Sequence, residues 1–479
     1  MKYIGIAVLA LLVLFILVLI ANTIKVSVKA RKLTPFKKIY NDEEIINYAN
    51  RLKKMIECKT VSVKDEYDDS EFLKLRNVMS ELFPLVHEKC EKLTFSDDCW
   101  IYKLSGKDKS HNIMIMSHHD VAPVSGEWEH GGFSGEIADG KIWGRGTVDT
   151  KTPLFAEFQA LEELLKDGFM PPCNLYIGSS HNEEIAGDGI PLALQYFKKN
   201  NIEFDVILDE GGAIIDPPLG GMKCDKCAMI AVHEKGRHSL ICTASEGSSH
   251  TGLSANINTP VARIAAFITE INTKNIFIHR LYPEVKEMFS HLCPYTPFIM
   301  KLLFSNLWCF GGIIKAVMPK LNPQAGAMVG TACAFNEIES SKDKKSCTVK
   351  AFLRCVNDED LKIDLENFKA IAKKYDITIK DGEGCEYHAP ADMTKPQFEY
   401  TKKCAAQIFP QVAVAPFILP AGTDARHLTD VCKCVLRFAP IDIDNKQFAS
   451  VHSENENINL DAVANAVAFY KHFLKNYEV

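Results

Sequence analysis

Acidic residues are missing from the first 38 positions of this 479-residue chain, which hold seven lysines and arginines. Of the 55 basic residues, 48 therefore face all 61 acidic ones in the remainder, a balance of −13. A body that acidic is a poor match for a phosphate backbone, which argues against nucleic acid as a partner. Cysteine is plentiful, at 16, but scattered, without the dense framework of a small secreted domain stapled by disulfides. Cys224-Asp225-Lys226-Cys227 and Cys432-Lys433-Cys434 lack a second pair at matching spacing, so a plain loop is expected ahead of a redox pair or half a zinc knuckle. There is no internal repeat and no low-complexity tract. A hydrophobic share of 47% fills real cores and excludes a disordered or collagen-like chain. The length suits two or three domains, at about 100–200 residues each.

What the first 38 residues do contain is an unbroken apolar run, Tyr3 to Ala21. As a helix it spans about 28 Å, close to the hydrocarbon thickness of a bilayer. Ala21-Asn22-Thr23 makes a poor cleavage site, so an uncleaved single-pass anchor is expected rather than a signal peptide. Lys2 precedes the run; Lys25, Lys29, Arg31, Lys32, Lys37 and Lys38 follow it. The positive-inside rule then puts the body in the cytoplasm, although a basic flank also suits anionic headgroups on either face.

Beyond the anchor, short apolar runs alternate with helical patterns. Asn112–Met116, Asn174–Ile177 and Val206–Leu208 read as strands, with helices over 153–166 and 190–199 between and around them. This order predicts an α/β domain with a mostly parallel mixed sheet flanked by helices. From about Gly236 the pattern becomes a small α+β unit, with strands near 238–244, 347–356 and 377–379 and helices over 259–271 and 361–375. It carries an apolar insertion at about 277–329, rich in Phe, Leu and Pro and containing Trp308. The α/β pattern then resumes with a helix over 398–408, a strand near 435–439 and a last helix over 460–475. The expected layout is an anchor with its flank (1–38), the α/β domain in two pieces (39–236 and 386–479) and an inserted domain (237–385).

Five groups lie at or just past the ends of apolar segments: His118-His119-Asp120, Asp149, Glu183-Glu184, Asp209 and His452. In an open α/β sheet the carboxyl ends of the strands line the ligand crevice, so these groups are placed to converge. Imidazole with carboxylate suits zinc or a similar divalent ion, and a carboxylate bridges two ions about 3.5–4 Å apart. Adjacent Glu183 and Glu184 repel each other unless one binds metal and the other stays free to carry protons. Singly, each is more readily a surface histidine, a turn-forming Asp or a solvated Glu pair; their joint order is what carries weight.

The ordered set SHHDVAPV, EWEHGGFSGEIADGKIWGRGTVDTK, SSHNEEIAGDG, LDEGG, SSHTG, GTDAR and VHSENENI resembles the dinuclear-zinc exopeptidase/aminoacylase family. AMIAVHEKG and the long apolar insertion resemble its carboxypeptidase S and N-fatty-acyl-amino-acid hydrolase/synthase branch. The resemblance implies two Zn2+ ions, with Co2+ or Mn2+ as alternates, and hydrolysis of an amide next to a free carboxylate, in a small peptide or an N-acyl amino acid. It implies His118 and Asp209 as ligands of the first metal and Glu184 and His452 of the second. Asp149 would bridge them ahead of a cis peptide to Thr150, while Asp120 orients His118. Glu183 would be the general base and acid. His250, on a lid-like inserted domain, would steady the oxyanion, either in its own subunit or across a homodimer. Arg426 would grip a substrate carboxylate or brace its loop. His119 is the intervening residue, a neighbour rather than a ligand. Departures are Asn182 where the family carries Asp, SSHTG where the branch carries GHSS, and no Asn-Val-Ile-Pro turn in the inserted domain. The insertion would admit fatty-acyl groups, or pack as core or as an oligomer face. The competing reading is a membrane-tethered, non-catalytic metal-binding or interaction module.

Overall fold

A computed structural model describes residues 2–28, 30–64, 68–245, 259–274, 276–321, 323–343, 345–382 and 387–478. The first strands are Glu91–Phe95 (β1), Cys99–Leu104 (β2) and Asp108–Met116 (β3), followed by a small hairpin of Glu136–Ala138 (β4) and Lys141–Trp143 (β5). Cys173–Ser179 (β6), Val206–Asp209 (β7), Ile214–Ile215 (β8) and Cys227–Glu234 (β9) come next. Gly236–Ser245 (β10), Ala332–Ser340 (β11), Ser346–Cys355 (β12) and Ile377–Asp381 (β13) form a separate sheet. Ala413–Leu419 (β14), Val435–Arg437 (β15) and Asn457–Asn459 (β16) complete the set.

The main sheet runs β1-β2-β6-β3-β7-β15-β9-β14, with β8 on β9. It is mixed. The β6-β3-β7-β15 centre is parallel, whereas β1, β2 and the β15–β9 junction are antiparallel. The central strands β6 and β7 are buried on both faces, as apolar runs without alternation require. Helices Lys151–Lys166 and Leu460–Lys475 pack together against the sheet and bury most of their length. The helix Asp42–Ile56 starts on a capping box between Asn41 and Glu44, with acids in its first turn and lysines in its last, complementing the helix dipole.

The second sheet, β11-β12-β10-β13, is wholly antiparallel. Helices Pro260–Thr273 and Asp358–Lys374 bury Ile264, Phe267, Leu361 and Phe368 against it, forming a core separate from that of the main sheet. The insertion adopts helices Pro283–Leu292, Phe298–Phe304, Leu307–Leu321 and Pro323–Val329. It packs chiefly on the edge of the main sheet, where Val285, Met288, Phe289 and Ile314 cluster with Met229 of β9 and Ala413, Ala415 and Ile418 of β14. Cys227 is not in a plain loop: it opens β9, and its Sγ lies 3.7 Å from that of Cys224, because β9 extends to pair with β14.

Candidate metal centre

The parallel strands β3, β6 and β7 end on one edge of the sheet, and the loops leaving them carry His118–Asp120, Ser180–Glu184 and Glu210. Asp149 follows β5 on a loop held by Glu456. Glu456 Oε1 accepts N–H bonds from Gly146 (3.1 Å), Val148 (2.7 Å) and Asp149 (3.1 Å), while its Oε2 meets Arg145 Nη1 at 2.6 Å. Both partners of that ion pair are buried. Gly146 has φ 90, and a Cβ there would meet Val121 at 2.9 Å, so the loop admits no side chain at this point. The peptide between Asp149 and Thr150 is cis.

Asp149 stands between two imidazoles. Its Oδ1 is 3.1 Å from His118 Nε2 and its Oδ2 is 3.0 Å from His452 Nε2. His452, at φ 58, also lies 3.0 Å from Glu184 Oε2. One donor atom each from His118, Asp149 and Glu184 fall within 4.8 Å of one another. The other oxygen of Glu184 accepts from Ala122 N at 2.9 Å. The Asp149 and Glu184 carboxylates hold the His452 imidazole pKa up, at about 10.

Asp120 is fully buried and does more than face His118. His118 Nδ1 is 3.3 Å from Asp120 Oδ1, and the Asp120 carboxylate also accepts from Ser62 Oγ, Glu183 N (3.2 Å) and Glu184 N (3.1 Å). One carboxylate thus orients the histidine and the Glu-Glu turn together. Burial raises the Glu183 carboxyl well above the usual range, with Asp424, Asp120 and Asp149 adding to it. His119 points away, stacked on Trp100 at 4.1 Å with Nδ1 2.8 Å from Ser179 Oγ.

Asp209 is placed differently from its neighbour. Its two oxygens accept from Ala425 N (2.9 Å) and Glu210 N (2.9 Å), tying β7 to the GTDAR loop. Burial raises the Glu210 carboxyl well above the usual range, with the negative charges of Asp149, Asp209 and Glu183 adding to it and His118 opposing. Sequence reading singled out Asp209 because it ends the apolar run; the signal for Glu210 was only its place one step further along. His250 lies outside the described residues.

Arg426 Nη1 is 3.9 Å from Glu183 Oε1 and donates to Thr423 O at 2.8 Å, so it borders the base and braces its own loop. Sequence reading missed its companion. Arg354, near the end of β12 in the inserted sheet, comes to the same place: a Cβ on Gly422 would sit 3.4 Å from Arg426 Nη1 and 3.5 Å from Arg354 Nη1. Burial and the repulsion of Arg237 and Arg426 lower the Arg354 pKa, opposed by Glu234 and Glu183. Asn182, the departure before the Glu pair, donates to Asp188 Oδ1 at 3.2 Å and accepts from Gly189 N at 3.4 Å, a local turn closure.

Two histidines and several carboxylates drawn together make a donor set that suits divalent ions, since buried anions at this density need positive charge among them. Comparison with known proteins agrees. The family model described as peptidase family M20/M25/M40 matches residues 114–476. The "Probable carboxypeptidase S-like 2" of Dictyostelium discoideum is 28% identical over 489 residues, covering 98% of this chain and 93% of that protein. The "N-fatty-acyl-amino acid synthase/hydrolase PM20D1" of Xenopus tropicalis is 26% identical over 485 residues, covering 97% and 93%. Among solved structures, the M20 family metallo-carboxypeptidase Sso-CP2 from Sulfolobus solfataricus superposes with a TM-score of 0.63 at 19% identity, over 91% of this chain and 99% of that one. The chain belongs to peptidase family M20/M25/M40 and is a metallo-hydrolase.

Proposed function

We propose that the chain hydrolyses an amide next to a free carboxylate, in a C-terminal peptide bond or an N-acyl amino acid, using two divalent ions, zinc first, with cobalt or manganese as alternates. The observation that carries this reading is Asp149, spanning His118 on one side and His452 on the other, with Glu183 3.9 Å from Arg426 and Arg354 beside that arginine. His118, Glu184 and His452 would hold the ions with Asp149 shared between them. Such ions supply Lewis acidity, lowering the pKa of water and polarising a carbonyl.

The chain's own residues do the rest. Glu183 takes a proton from the attacking water and returns it to the leaving amine. Asp120 keeps His118 and the Glu183-Glu184 turn in register through its buried hydrogen bonds. Arg354 and Arg426 offer paired donors to the substrate carboxylate, and His250 of the inserted domain would donate to the developing oxyanion. The same site run with excess amine and acid would condense them, as concentrations dictate. The helix Lys2–Val28 would tether the enzyme to a membrane as a single-pass anchor; the basic residues after it support a cytoplasmic body.

For the third ligand of the first ion we place Glu210 ahead of Asp209, because each Asp209 oxygen accepts a backbone N–H in tying β7 to the GTDAR loop. Glu210→Gln is expected to lose one equivalent of bound metal, and Asp209→Asn to keep both while losing thermal stability. Inductively coupled plasma mass spectrometry of the two variants checks this; the opposite pattern returns the role to Asp209.

Substrate class is tested by turnover of N-acetyl, N-fatty-acyl and dipeptide substrates, each with a free and a blocked carboxylate. Free forms are expected to win by about 10²-fold, and Arg354→Met to raise KM by a similar factor, the cost of leaving a charged pair half made. Equal turnover of free and blocked forms would remove the carboxylate requirement.

A further inference from the structure

The helices Phe298–Phe304 and Leu307–Leu321 meet at 107° around Ser305 and Asn306. One side of the longer helix, through Ile314 and Met318, packs into the insertion core. The other side leaves large apolar groups in the open: Trp308 is 63% exposed, Ile313 61% and Leu321 63%, with Val317 between them, and on the shorter helix Phe298 is 64% and Ile299 72% exposed. Scattered exposed apolar residues need no explanation, but a contiguous set on two adjoining helices marks an interaction surface.

Two observations say what covers it. The first is continuity with the N-terminal helix. Asn22 Nδ2 donates to Asn306 Oδ1 at 2.9 Å, Asn306 Nδ2 donates to Leu19 O at 3.1 Å, and the hydroxyls of Thr23 and Ser305 lie 3.0 Å apart. Phe15 packs edge-on against Trp308, with ring centroids 5.8 Å apart. Asn22 and Thr23 follow the apolar run directly, so the corner at Ser305-Asn306 sits at the level where the run ends. Phe15 lies about 10 Å further along the helix at 1.5 Å per residue, which places Trp308 beside the hydrocarbon-spanning part of the run. The second is charge. No Asp or Glu occurs from Met288 to Asn336, while Lys301, Lys315 and Lys320 lie within the two helices. An apolar face flanked by lysines and free of acids is the composition of helices that lie in the interface of an anionic bilayer.

We propose that the exposed face of these two helices is seated in the lipid bilayer, in the leaflet nearest the body, as a second membrane element beside the N-terminal helix; this rests on the membrane anchoring proposed above. The body is then held at two points and fixed in orientation on the membrane, rather than swinging from one tether.

The test uses the full chain in phosphatidylcholine–phosphatidylserine vesicles, with and without lipid brominated on its acyl chains as a tryptophan quencher. Trp308→Phe is compared with Trp308→Phe/Ile313→Trp, so that the difference in emission reports residue 313, one turn and more beyond the contact with Phe15. Brominated lipid is expected to quench that difference by about half or more, as for a group below the headgroups. Retention of the chain after an alkaline wash reads the anchor separately. A retained chain whose residue-313 signal ignores brominated lipid overturns the proposal and leaves the anchor standing. Release of every variant by the wash overturns both. A signal that becomes shielded from lipid as protein density rises identifies a second copy of the chain as the occupant, and also overturns it.

Discussion

Glu183→Gln is expected to lower kcat by at least about 10³-fold while metal content stays at the unsubstituted level, the range seen when a positioned proton carrier is removed. The geometry separates the two functions within one dipeptide. Glu184 lies 3.0 Å from His452 and belongs to the donor cluster. Glu183 lies near Arg426, half-buried beside the cluster, with its backbone N–H held by Asp120. Glutamine preserves shape and that backbone bond but cannot take up and return a proton. Single-turnover kinetics alongside metal analysis is the measurement. Loss of metal together with activity would make Glu183 a ligand, and unchanged turnover would remove Glu183 as the base.

The second large effect is expected at Glu456, which acts through the Asp149 loop. Its carboxylate gathers three N–H groups of one loop and the buried guanidinium of Arg145. Glu456→Gln leaves that guanidinium buried without a counter-charge, a loss of about 3–5 kcal/mol for a broken buried pair. The expected result is local: exchange of the Gly146, Val148 and Asp149 amides speeds up by about 10²-fold or more, since each 1.4 kcal/mol is tenfold. Asp149 loses its fixed position, and metal affinity falls with it. Hydrogen exchange read by mass spectrometry on peptides covering 144–150 checks the first part, and metal titration the second. Protection equal to that of the unsubstituted chain would show that the loop holds itself.

Much of the architecture was legible because burial leaves a periodic mark. The doubly buried strands β6 and β7 and the second half of β3 are largely apolar runs, and the helix over 153–166 shows its stripe; the structure starts that helix two residues earlier, at Lys151, whose ammonium is buried against the carbonyls of Met55 and Cys58. What escaped were strands without such marks. Cys227–Glu234 and Ala413–Leu419 pair with each other across a wide gap in sequence, and nothing local announces that pairing. The edge strand β1 carries the exposed charges of Glu91 and Lys92, and its neighbour β2 is buried over its first four residues without alternation.

By itself the sequence determined the order of elements, the anchor-like run with its basic flank, and the residue types of the centre, because helix, strand and metal-ligand preferences are local or are carried by spaced motifs. Only the tertiary structure decided which atoms meet. The hydrogen bond of Asp209 to Ala425, the arrival of Arg354 from the inserted sheet beside Arg426, and the grip of Glu456 on the Asp149 loop each join positions tens to hundreds of residues apart. A side chain's partner in such a contact depends on how sheets, loops and an inserted domain stack in space, and no periodicity along the chain encodes that distance.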